Sequence, residues 1–398
     1  MSVKYFNSVD IKNIIFNSII FFYIFFYIAG PALINIYLVF LGIFALAQNL
    51  KNKIIFDTTD YLLIVFFCYI FFKDIIFLKF DGHLLILFNF INIFIFFKNS
   101  LVKYNLKLFL FPISILTLIL SIDGLYQYFN GSNIIGIPRF ENYRLTSFFN
   151  DEPIIGSFLF KFFIPLFYFS FLFKSKLYLI SISLLIFLTI TLSGERLALI
   201  QSLLAFIVVI CLNLNKYNYK KILLLVVSIS TLIFFSLDSK LKDRLFHTSN
   251  EFVLLAKNFI GNENNNLGSL NNYLYNYKSG LEIWKHNPVF GGGYRFYNKN
   301  CFDILQNENL SKGCSTHPHN IYIETLSDHG TIGLIILSLL FSNFFINNYK
   351  KKNGFNLVFF LILIPFFPSQ SIYSSYYQSI FLFILCLSSL KLDDIKYK

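Results

Sequence analysis

Apolar stretches of about twenty residues follow one another along almost the whole chain, each close to the length a helix needs to cross the hydrocarbon layer of a membrane. They are apolar on every side, where a soluble fold of 398 residues would alternate apolar and polar faces. Hydrophobic residues make up 56% of the chain, with 54 Phe, so composition agrees with pattern. The runs predict an all-α polytopic membrane protein of about twelve transmembrane helices. These lie near 13–29, 31–49, 60–79, 82–98, 106–122, 154–173, 177–193, 195–213, 220–237, 319–346, 354–368 and 371–390. The first run has no small-residue cleavage site and passes directly into the second, so no cleavable signal peptide is expected. The expected organisation is an N-terminal group of helices with the first external loop over 1–153, a core over 154–346, and C-terminal helices over 347–398. A large extramembrane insert, 238–318, separates the ninth and tenth helices, and its Asn262–Asn266 stretch reads as a loop.

Charge orients these helices. Lys4 and Lys12, Lys51 and Lys53, Lys98, Lys103 and Lys107, Lys174 and Lys176 occupy alternate gaps between the apolar runs. So do Lys216, Lys220 and Lys221, Lys350, Lys351 and Lys352, and Lys391, Lys396 and Lys398. The same gaps contain few acids, which is the positive-inside pattern and predicts both termini in the cytoplasm. Much of the net charge of +12 is then topological, and no nucleic-acid partner is expected.

The arginines are placed differently. Arg139, Arg144, Arg196, Arg244 and Arg295 map to the opposite, external side, as do His83, His247, His286, His317, His319 and His329. Topology requires no arginine there, and guanidinium is the planar, permanently charged fork suited to phosphate and carboxylate oxygens. The external face therefore reads as a place where a phosphate or diphosphate is handled; the plainer reading is that some of these arginines hold loop structure. Arg196 follows Thr191-Leu-Ser-Gly-Glu195, a short break between two apolar runs at the depth of a lipid headgroup. Its alternative is an interfacial arginine reaching lipid phosphates. Glu195 is positioned to pair with it or orient it. Arg144 leads into a polar stretch before the sixth span, in which Asp151 and Glu152 are candidate bases or acceptor contacts, or helix caps.

Residues 317–333, His-Pro-His-Asn-Ile-Tyr-Ile-Glu-Thr-Leu-Ser-Asp-His-Gly-Thr-Ile-Gly, carry the sharpest signal, since ionisable groups at the mouth of a membrane bundle are costly and usually functional. Pro318 suits the first position of a helix, with Thr316 or His317 as cap, so that His319 and Asn320 occupy its first turn. The positive end of a helix disfavours imidazolium and keeps His319 neutral, as a general base must be, while attracting an anionic leaving group. His317 and His319, two apart on a helix, are expected to point away from each other, so no metal site is predicted. Gly330 and Gly333 read as close helix packing.

These residues resemble the O-antigen ligases and the related O-antigen polymerases. The family motif of His, then Asn, Ser or Gln, nine residues and Gly is met by His319-Asn320, Ile321 to His329, and Gly330, with Gly333 as the further small residue. Ser193-Gly-Glu-Arg196 is similar to the family's small-residue turn carrying an arginine, more often Gly-Ser-Arg. Trp284-Lys-His-Asn-Pro288-Val-Phe-Gly291-Gly-Gly293 resembles the Trp, Pro and Gly-x-Gly segment of its large periplasmic loop. The likeness spans roughly residues 140–340, which makes 154–346 an O-antigen ligase-like core. One departure is that the family has an arginine some turns before the tryptophan, where this chain offers Lys278. Either Lys278 substitutes or Arg244 or Arg295 reaches in, and the exchange is not neutral at a bidentate contact.

The resemblance implies a GT-C type architecture in the bacterial inner membrane, with the site facing the periplasm. It implies a metal-independent glycosyltransferase with no cofactor, moving a glycan from undecaprenyl diphosphate to a lipid A core sugar (ligase) or to another lipid-linked glycan chain (polymerase). In that scheme His319 is the general base and Arg196 and Arg144 stabilise the diphosphate. Asn320, Glu195, His317, Lys278, Arg295, Arg244, Asp151 and Glu152 are the expected binding residues. A flippase or transporter predicts charged residues within broken mid-membrane helices, often in repeats; only Lys73 and Asp74 would qualify, and no repeat is visible. An envelope assembly protein would not need the His and Arg arrangement. Cys68, Cys211 and Cys386 fall in spans and read as buried hydrophobes. Cys301 and Cys314 share the external insert, where a disulfide would stiffen the approach to His317 and His319.

Overall fold

The computed structural model describes residues 8–52, 54, 56–76, 83–103, 106–150, 152–170, 176–212, 242–243, 269–306, 309–350, 361, 363–365, 367–371 and 374. Among these the ordered elements are helical. They are α1 (Ser8–Ala29), α2 (Pro31–Lys51), α3 (Thr58–Ile76), α4 (His83–Lys103), α5 (Leu106–Asn130), α6 (Ile155–Ser170), α7 (Lys176–Leu192) and α8 (Arg196–Leu212). After the insert begins come α9 (Ser269–His286), α10 (Phe296–Ile304), a 3₁₀ turn at Asn309–Gly313 and α11 (Ile321–Lys350). The only β pairing among the described residues is two isolated bridges, Ser132 with Pro138 and Phe140 with Arg144.

Three of these helices hold stretches long and apolar enough to cross a membrane, Ala32–Lys51, Leu110–Asn130 and Ile321–Asn347. Ile15–Ala29, Ile155–Ser170, Leu177–Leu192 and Arg196–Cys211 are shorter apolar helices. The chain is thus a mostly helical protein with the character of an all-α membrane protein. The first eight predicted spans and the tenth correspond to helices. The ninth, 220–237, lies outside the described residues, as does most of 371–390. Within the predicted eleventh, 361, 363–365 and 367–368 are turn and bend rather than continuous helix. Pro365 and Pro368 explain this, because each lacks a backbone donor and clashes with the preceding turn.

Helix α6 packs against α5, α7 and α8 and is buried along nearly its whole length; apart from Lys161 its buried side chains are almost all apolar, as in a helix with no solvent face. Its phenylalanines interlock with the neighbours: Phe167 stacks on Phe206 of α8 with centroids 4.6 Å apart, and Phe158 meets Tyr27 of α1 at 4.9 Å. Hydroxyls inside the bundle bond back to their own helices, as Thr117 Oγ1 does to Ile113 O (2.8 Å) and Ser202 Oγ to Ala198 O (2.7 Å). That is the only economical partner where water is absent. Helix α3 packs between α4 and α11. At its start Lys98 of α4 reaches Asp60 (2.6 Å) and Asp57 (2.9 Å), so this lysine is an ion-pair partner as well as a topological signal.

The described segment over α9 and α10 is stapled. Ile283 of α9 and Tyr297, Cys301 and Leu305 of the α10 region form its own apolar cluster. Cys301 and Cys314 are joined by a disulfide, which settles a pairing that the sequence left open. Cys68 and Cys211 depart from expectation: both are exposed on the outer faces of α3 and α8, not buried. Cys386 lies outside the described residues.

Candidate functional site

Helix α11 begins at Ile321, three residues later than the Pro318 start its sequence implies, because Asn320 and not Thr316 or His317 is the cap. Its Oδ1 accepts from Tyr322 N (3.0 Å) and Ile323 N (3.2 Å), satisfying two of the donors a helix start leaves open. His319 therefore stands outside the helix in the left-handed region (φ 51°), a conformation in which His is enriched among non-glycine residues but still uncommon. Pro318 is buried against Gly280 of α9. This local geometry overturns the expected divergence of the two histidines: the His317 and His319 rings lie 4.1 Å apart. Tyr273 of α9 meets the His319 ring edge-on at 5.7 Å.

Burial keeps both rings neutral. The His317 pKa falls to about 4, first through desolvation, then through the His319 ring and the Arg295 charge. That of His319 is lowered by desolvation. The neutral state expected of His319 thus holds, with burial as its main cause. Arg295, itself left-handed at φ 52° and over the Tyr294 ring at 5.6 Å, is close enough to act on His317. Among the described residues no group of three or more His, Cys, Asp or Glu is arranged to hold a metal ion.

Two motifs that look separate in the sequence form one interlock. Gly330 breaks α11 with φ 68° and ψ −170°, so neighbouring backbone groups lose their helical partners and need others. Segment 288–293 supplies them. Pro288 O accepts from Thr331 N (2.9 Å) and Val289 O from Ile332 N (3.2 Å), while Gly292 N and Gly293 N donate to Ser327 O (3.3 Å) and Asp328 O (2.8 Å). Trp284 Nε1 donates to Pro288 O (2.9 Å) and fixes the segment's near end. The two backbones approach so closely that a Cβ on Gly330 would lie 2.3 Å from Val289 O, and one on Gly291 2.4 Å from His329 N. Gly330 is thus required for a chain break and not for ordinary helix packing. Gly333 does pack closely, facing His329 and Tyr69.

The arginine side is built on the α7–α8 turn. The Glu195 carboxylate accepts from Gly156 N (2.5 Å) and Ser157 N (3.0 Å), capping the start of α6. The charge of Arg144 acts on Glu195, and Arg144 Nη2 also donates to Pro153 O (3.2 Å). Leu145 N bonds to Ser193 O (3.4 Å), which ties the Arg144 loop to the turn bearing Arg196. Arg144, Glu195 and Arg196 are therefore one neighbourhood. Glu152 is exposed, Lys278 is exposed on α9, and Arg244 and Asp151 lie outside the described residues.

A strap that sequence reading assigned to spans joins the two sides. Residues 361–371 run from Gln201 of α8, whose Nε2 donates to Leu361 O (3.3 Å), to the histidine loop. There Ser369 N donates to His319 O (2.8 Å), Ser369 Oγ accepts from Ile321 N (2.8 Å), and Asn320 Nδ2 donates to Pro365 O (2.5 Å). Ser371 Oγ donates to the buried Glu324 (2.5 Å). Paired prolines followed by Ser369-Gln-Ser371 are the sequence signal that could have revealed it. Likewise Lys73 and Asp74, read only as a transporter signature, are bonded into the α11 break.

Residues 181–338 match a family model described as O-antigen ligase. No curated protein matches the chain.

Proposed function

We propose that this chain, whose residues 181–338 match the O-antigen ligase family model, is a membrane glycosyltransferase acting on lipid-linked glycan. The observation that carries the reading is the half-buried imidazole of His319, its pKa lowered by desolvation, presented just outside the capped start of α11 and strapped to the helix that Arg196 opens. His319 takes the proton of the acceptor hydroxyl, whose oxygen attacks the anomeric carbon of the donor glycan. The bond from that carbon to the diphosphate breaks, the electron pair leaves with the diphosphate, and Arg196 and Arg144 stabilise the charge. The acceptor is a lipid A core sugar; joining of lipid-linked repeat units by a polymerase is the second reading. The matched description, together with the complete His-Asn, nine residues, Gly spacing, favours the ligase. Alternating lysine-rich gaps support an inner-membrane protein with both termini cytoplasmic and the site periplasmic.

The lipopolysaccharide banding pattern of a deletion strain tests this. A ligase predicts loss of all capped core while lipid-linked polymer accumulates; core bearing a single repeat unit identifies a polymerase; an unchanged pattern contradicts both. Complementation with Arg196→Lys should restore capping poorly, because a point charge cannot reproduce a bidentate fork.

A further inference from the structure

Helix α3 carries a charged pair in its last turn. Lys73 and Asp74 are buried, 4% and 0% exposed. Buried charge in such a bundle is retained where it has a partner and a task. Both partners lie on the elements that frame the histidines. Lys73 Nζ donates to Asp328 O (2.6 Å) and lies 2.7 Å from His329 Nδ1, and Tyr69 Oη donates to His329 O (2.7 Å). These are the carbonyls next to the Gly330 break. Asp74 Oδ1 accepts from Tyr294 N (3.2 Å), and Asp328 Oδ1 from Tyr297 N (2.9 Å). The two carboxylates thus hold the start of α10, one through Tyr294 just before it and the other through Tyr297 in its first turn.

From α10 the restraint continues to the histidine loop. Tyr297 Oη donates to Gly313 O (2.7 Å), Asn298 Nδ2 donates to Thr316 O (2.9 Å), and the Cys301–Cys314 disulfide lies between them. Thr316 directly precedes His317. A continuous set of bonds therefore runs from the α3 pair, through the α11 break and α10, to the residues that present His319.

We propose that Lys73, assisted by Tyr69, is a positioning residue: it fixes the broken first turns of α11 and the α10 bracket, and so holds His319 in register with the diphosphate side. This rests on the glycosyl-transfer reading above. A bracket that drifts by about an ångström misaligns the base, which costs roughly a hundredfold in rate where geometry is decisive. The donor contacts assigned to Arg144 and Arg196, which stand on the α7–α8 side and not on this bracket, are unaffected.

The test is glycan transfer by the purified full chain with Lys73→Met, Tyr69→Phe, Lys98→Met and His319→Ala. Lys98→Met removes an ion pair at the other end of the same helix and controls for general destabilisation. The expected result for Lys73→Met is a kcat about tenfold to a hundredfold lower with donor KM within about twofold, a smaller kcat loss for Tyr69→Phe, and unchanged kcat for Lys98→Met. Faster labelling of Cys301 and Cys314 by a maleimide after mild reduction should accompany the loss in Lys73→Met. Wild-type kcat in Lys73→Met, or an equal loss in Lys98→Met, overturns the proposal. If Lys73→Met does not accumulate, Tyr69→Phe decides, and wild-type kcat there overturns it. Full activity in His319→Ala would instead sink the transfer reading itself.

Discussion

At the scale of single residues, the protonation of the histidine pair is the most consequential property. Both rings are held below the ordinary imidazole value of 6.5 by burial, His317 to about 4. A base that must be neutral is then fully competent at pH 7 and stays so as pH falls past 6.5. The predicted acid limb of kcat/KM therefore lies below pH 6.5; a limb at or above that value would contradict the role given to His319. Stability follows the same sign. Below pH 6.5 the unfolded chain takes up protons on these rings that the fold refuses, so stability present above 6.5 is lost as pH falls toward about 4. The candidates His319, Asn320 and Arg196 stand out in the sequence because each sits in a short local motif. That the two imidazoles face each other was not, because it depends on a left-handed His319 that the rule for helix starts does not anticipate.

Among the elements, apolar run length located the helices, since a membrane leaves a chain little alternative to helix. The breaks were harder. The Gly330 break and segment 284–293 were recognised as two motifs, yet they exist to satisfy each other's backbone groups. A pairing between residues some forty apart has no periodicity to betray it. The disulfide is the third member of this assembly. It closes a short loop between α10 and the histidine segment, and such a crosslink typically contributes about 2–4 kcal/mol. Replacing Cys301 and Cys314 together by Ser should make residues 297–317 readily cleaved by protease and lower transfer, while the bundle stays folded. Unchanged protease resistance and transfer would mean the bracket holds without its crosslink.

Among the described residues the molecule is a set of packed helices, α6 buried within it, with two polar neighbourhoods that matter for the chemistry. One neighbourhood is the α7–α8 turn with Arg144, Glu195 and Arg196; the other is the entry to α11 with His317, His319 and Arg295. The sequence identified both but not the strap 361–371 between them, because its prolines lie inside apolar stretches that read as spans. Polarity buried at the mouths of helices gives this bundle its chemical character, and the account stands on one side chain within it. The most direct measurement is the rate of glycan transfer from lipid-linked donor by purified His319→Ala protein whose Cys301–Cys314 disulfide is intact. The account predicts a loss of roughly 10²–10⁴-fold, the contribution of a positioned base. Transfer at the wild-type rate would contradict it.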